Sequence, residues 1–177
     1  MGKPSNPVEA LGRRFQRLTL ALILLTPCAF AYAVWTFGPM ALLRPAQGIR
    51  VDPSALNALT HLGSLVLLGI GSLVPLLWLT VLGLLYRLFG LYARGAVFEL
   101  ENIRLIRWCG IALVLIDAAR IVQSMLLGPV LGALGVAPAY FLIELQASVA
   151  VVGLFILLIG QVMGVARALE ESDRLTI

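Results

Sequence analysis

Residues 111–127 read IALVLIDAARIVQSMLL, an apolar run with an acid, a base and two amide or hydroxyl side chains near its centre. Asp117 and Arg120 stand three residues apart, so a helix places them on one face; Ser124 continues that face and Gln123 lies beside it. Two chemistries follow from these types at this spacing. One is a structural ion pair that fixes the register of a helix among its neighbours. The other is a polar pathway or site, the default suspicion for ionisable groups at membrane depth. One acid paired with one base leaves no net charge to carry a cation, which weighs against transport.

The element that carries this cluster is expensive to place in lipid. A central Asp or Arg costs about 2.5 to 3.5 kcal/mol each, whereas each Leu, Ile, Val or Phe returns only about 0.3 to 0.6 kcal/mol. The apolar residues between Cys109 and Leu127 offset about 4 kcal/mol of a cost near 6. The charged face therefore needs cover from protein or trapped water. A further partner is expected from the next helix, where Glu144 falls within reach of Arg120 by depth, with Gln146 and Ser148 between them.

The rest of the chain supplies the cover. With 60% hydrophobic residues, 12% charged and a mean hydropathy of +0.99, its 177 residues lie outside the usage of water-soluble domains. Four stretches, at about 18–37, 62–86, 109–127 and 141–165, are long enough to cross about 30 Å of hydrocarbon. They lack the alternation of barrel strands, and lipid leaves the helix as the other way to satisfy the backbone. The expectation is an all-α integral membrane protein, a four-helix transmembrane bundle forming one domain over residues 1–177. Its first run continues apolar through Trp35 and Phe37, which favours a retained helix over a cleaved leader.

Basic residues set the orientation. Lys3, Arg13, Arg14 and Arg17 precede the first span, Arg87, Arg94, Arg104 and Arg107 lie in the connection 87–108, and Arg167 and Arg174 in the tail 166–177. Only Arg44 and Arg50 fall on the other side, so the positive-inside rule puts both termini in the cytoplasm (N-in/C-in). The sequence pI near 9.6 then reports topology and attraction to anionic membrane lipids, with no direct nucleic-acid binding required. Loop 128–140, GPVLGALGVAPAY, is uncharged and reads as an outer connection that rests in the headgroups or dips into the protein. Gly160 and Gly164 form a small-xxx-small pair suited to helix packing within the bundle or to a homo-oligomer face.

Catalysis and metal binding find no footing. His61 is the lone histidine, and HExxH, P-loop, GxSxG and CxxC patterns are absent, so the expectation is a non-enzymatic protein without cofactor or metal. Cys28 and Cys109 fall at different depths, too far apart for a bridge.

One longer pattern carries a resemblance. LLYRLFGLYARGAVFELENIRLIRWCG, through Tyr86, Arg87, Leu88, Gly95, Val97, Phe98, Glu101, Asn102, Leu105 and Gly110, together with the ending ALEESDRLTI, resembles the domain-of-unknown-function 2975 family of small four-span bacterial membrane proteins. Glu99 stands where that family often has Thr or Ser, and Arg174 where an acid is common. The resemblance implies a cytoplasmic turn built on Gly95, Phe98, Glu101 and Asn102. It also implies regulation together with a cytosolic helix-turn-helix regulator, since members are often encoded beside one. The tail residues Glu170, Glu171, Asp173, Leu175, Thr176 and Ile177 read as a docking peptide for such a partner. The alternative expectation is a small transporter or channel subunit using Asp117 and Arg120.

Overall fold

The computed structural model describes residues 7–38, 41, 54, 60–95, 99–138 and 147–175. Four helices hold nearly all of them: α1 (Pro7–Phe37), α2 (His61–Tyr92), α3 (Leu100–Ala133) and α4 (Ser148–Leu175). Among the described residues there is no strand. α1, α2 and α4 are long and apolar enough to cross a membrane, and with these helices among its described residues the chain is an all-α membrane protein. Pro27, Pro75 and Pro129 lie inside helices, as lipid-embedded helices tolerate.

Consecutive helices pack antiparallel, each against the next in the chain. α1 meets α2 where Gly12 lies against the backbone of Tyr92 and Ala93 and where Phe15 stacks on Phe89 at 5.3 Å between ring centroids. Higher up, Phe30 and Val34 join the cluster around Leu67. α2 and α3 share three apolar layers: Leu88 with Leu105 and Ile106, Val81 with Ala112, Leu113 and Ile116, and Leu67 with Leu127 and Leu131. α3 and α4 approach closest at two glycines. A Cβ on Gly153 would lie 2.7 Å from the Gly110 carbonyl oxygen, and one on Gly110 would lie 2.8 Å from that of Gly153, so only hydrogen fits at either position. Gly160 and Gly164 continue the contact beneath Arg107, so this small-residue pair takes part in packing within the chain.

α3 is the core. Most of the buried residues lie on it, including Asn102, Asp117, Gln123 and Ser124. It is the one helix outside the three that suit lipid by composition, and it lies between α2 and α4. Shelter, which the marginal insertion energy requires, comes from those neighbours.

The helix limits differ from the expected spans in instructive ways. α1 begins eleven residues before Leu18 and α2 runs on to Tyr92, so the connection to α3 shrinks to seven residues, 93–99. α3 continues through Gly128 and Pro129 to Ala133, although both residues read as loop. Packing of Leu127 and Leu131 on Leu67 overrides the local breakers. It ends in a Schellman turn: Gly135 takes φ +70°, its N–H donates to Gly132, and the Val136 N–H donates to Leu131 at 3.0 Å. Val136 is buried against Leu131, so the start of the apolar connection folds back onto the core. α4 begins at Ser148 with Ala147 outside the helix, later than the expected start at Phe141; residues 139–146 lie outside the described set.

Candidate functional site

The polar centre of α3 faces protein. Asp117 is 4% exposed, and its position is about 26 Å along α3 from Leu100, near the helix midpoint. Arg120 Nη1 donates to Asp117 Oδ1 at 3.4 Å, a long contact, with the arginine side chain 33% exposed. The shorter bond is to the other oxygen: the backbone N–H of Ala150 donates to Asp117 Oδ2 at 2.7 Å.

That bond explains the carboxylate. Ala147 precedes the first turn of α4, and its carbonyl accepts from the Val151 N–H, which makes it the N-cap residue. An alanine side chain has no acceptor for the N–H groups that a helix start leaves without partners. Asp117 provides one from a different helix, at the third residue of α4. The acid lies at the positive end of the α4 dipole, so its charge and its lone pairs are both used. Arg120, one turn further along α3, neutralises the remaining charge. The arrangement pins the beginning of α4 to the middle of α3.

The other members of the cluster divide. Ser124 is buried, and its hydroxyl donates back to the Ile121 carbonyl at 2.8 Å, within its own helix. Gln123 is buried on the same stretch. Glu144 and Gln146 lie outside the described residues. The partner that sequence reasoning missed is the Ala150 amide. Its signal was indirect: a helix start, QASVAV, that lacks a Ser, Thr, Asp or Asn at Ala147 and so needs a cap from elsewhere.

At the α2–α3 turn, Gly95 stops α2 at φ +79° and its N–H donates to the Tyr92 carbonyl. A side chain there would meet both the left-handed backbone and, at 3.6 Å from its Cβ, the Glu9 carboxylate of α1. Glu99 caps α3 through its backbone alone, its carbonyl accepting from Asn102 and Ile103 at 3.0 and 3.4 Å. Asn102 is fully buried, whereas Glu101 is exposed and shares a shallow groove with Arg87, Arg104 and Trp108. Phe98 lies outside the described residues. In the tail, the backbone of α4 stays helical through Leu175; the side chains of Glu170, Glu171, Asp173 and Leu175, and all of Thr176 and Ile177, lie outside the described set.

Residues 65–177, well over half the chain, match the family described as "Protein of unknown function (DUF2975)". The match takes in α3, the Asp117 cap, the α2–α3 turn and the tail. No curated protein and no solved structure matches the chain.

Proposed function

The chain belongs to the DUF2975 family, and from that premise we propose that it is a non-enzymatic interaction component of the bacterial cytoplasmic membrane. In this reading both termini and the α2–α3 turn face the cytoplasm, and the turn end of the helices engages a soluble partner such as a helix-turn-helix regulator. The observation that carries it is the reach of α4. The contacts of Gly160 with Arg107 and of Gly164 with Arg107 and Ile103 set the register of α4 against α3. Continued to Leu175, that register takes the helix about 12 Å past the level of Leu100, where α3 begins. A helical projection whose sequence holds Glu170, Glu171 and Asp173 before Leu175 and Ile177 suits docking into a basic, apolar-lined groove.

The transporter alternative draws no support from the polar cluster. Both oxygens of Asp117 are engaged, one by a helix N-terminus and one by Arg120, and the pair is neutral. The test is crosslinking in native membranes of the full chain and of a chain lacking residues 175–177. Capture of a DNA-binding regulator by the full chain and its loss on truncation, with insertion unchanged, is the expected result. Equal capture by both chains would refute the docking role of the tail.

A further inference from the structure

A groove of about 850 Å³ runs along the outer junction of α3 and α4, basic over part of its length and apolar elsewhere. Arg104 and Arg107 line the part nearer the turn end of the helices, with Leu100 and Ala168 beyond them; Ile111 and Leu157 line the part toward the middle of the bundle. Gln161 and Val165 form the α4 wall between them. Gly160 and Gly164 keep that wall low, so the Arg107 side chain lies across α4: a Cβ on either glycine would come within 3.0 Å of it. Both arginines are exposed, and among the described residues neither has a carboxylate within ion-pair distance. Two guanidiniums with no described carboxylate within ion-pair distance, set along an otherwise largely apolar trough, make an amphipathic site that runs along the helices. That is the shape and polarity of a phospholipid, headgroup at the arginines and acyl chain beside Ile111 and Leu157.

We propose that this groove is a binding site for an anionic phospholipid, in which Arg104 and Arg107 hold the headgroup phosphate. Guanidinium suits this task because its planar donors match phosphate oxygens in pairs. The site depends on the groove and its charge, and not on whether the tail captures a soluble partner.

The experiment is native mass spectrometry of the full chain in detergent, titrated with phosphatidylglycerol and with phosphatidylcholine of identical acyl chains. Two arginines at the headgroup level predict roughly a 30-fold preference for phosphatidylglycerol. The double variant Arg104→Gln/Arg107→Gln should lose that preference while keeping its helical circular dichroism. Val165→Trp, an exposed change that fills the trough and leaves both arginines in place, should weaken retention of either lipid by roughly tenfold. Glycerol 3-phosphate, a headgroup without chains, should fail to displace the bound lipid. Equal retention of the two lipids, full retention of phosphatidylglycerol by the double variant, unchanged binding by Val165→Trp, or displacement by glycerol 3-phosphate would each overturn the proposal.

Discussion

α1 and α3 have nearly the same length and opposite roles. α1 is apolar enough to cross a membrane and exposes most of its surface, from Leu11 and Phe15 through Leu24 and Leu25 to Trp35. α3 carries the acid, the base and the buried amides, yet it supplies most of the buried residues. In a water-soluble protein the most apolar helix is the core. Here α2, the most apolar of the four described helices, buries few of its residues, because lipid is as apolar as leucine and drives no helix inward. What draws α3 to the centre is its need for polar partners and for glycines that admit another backbone. Perturbing α3 contacts should therefore damage the fold, and perturbing the outer face of α1 should not.

The largest expected effect is at the glycine crossing. Gly153→Leu puts a Cβ 2.7 Å from the Gly110 carbonyl and 3.0 Å from the Leu113 Cβ, neither of which is a flexible side-chain end. Separation of α3 from α4 should cost about 3 kcal/mol, at the upper range for overpacking. Steric-trap unfolding in bicelles reads this directly. A loss comparable to that of an exposed leucine would mean that the two helices are not in close contact.

Next comes the cap. Asp117→Ala removes the acceptor for the Ala150 N–H and leaves Arg120 without its described counter-charge. A lost cap costs about 1 kcal/mol and the lost charge at a helix start up to about 2 kcal/mol more, so a total of about 2 kcal/mol is expected. Asp117→Asn keeps a carbonyl oxygen able to accept from Ala150 and should retain about half of that stability. Hydrogen exchange at the first turn of α4 should rise in the order wild type, Asn, Ala. Protection unchanged in Asp117→Ala would show that another group caps α4 and would return the carboxylate to the list of groups needing a role.

Much of this architecture was legible in the sequence, for a physical reason. Hydrocarbon length constrains where helices lie, and α1, α2 and α4 each hold most of the apolar stretch that predicts them. The pairing of Asp117 with Arg120 followed from helical spacing alone. The second partner of Asp117 did not, because a backbone amide is present at every non-proline position and leaves no mark in residue types. The continuation of α3 through Gly128 and Pro129 was hidden for a related reason. Local breakers are visible in sequence, whereas the burial of Leu131 and Val136 that outweighs them depends on Leu67, more than sixty residues away. Sequence showed which residues were costly; only the packing showed which groups offset them.

The smallest effect tests the other half of the comparison. Leu24 on α1 is 63% exposed, and a bilayer would place acyl chains against it. Those chains contact the side chain in the folded state and equally when α1 is inserted but undocked, so Leu24→Ala removes similar contacts from both. The unfolding free energy in bicelles should therefore change by less than about 0.5 kcal/mol, as for substitutions remote from packed features. A loss of about 2 kcal/mol, the size typical of a leucine truncated inside a core, would mean that protein covers this face. The exposure of α1 would then hold for the isolated chain alone, with α1 serving as the contact between copies, and the loss should grow with protein density in the bilayer.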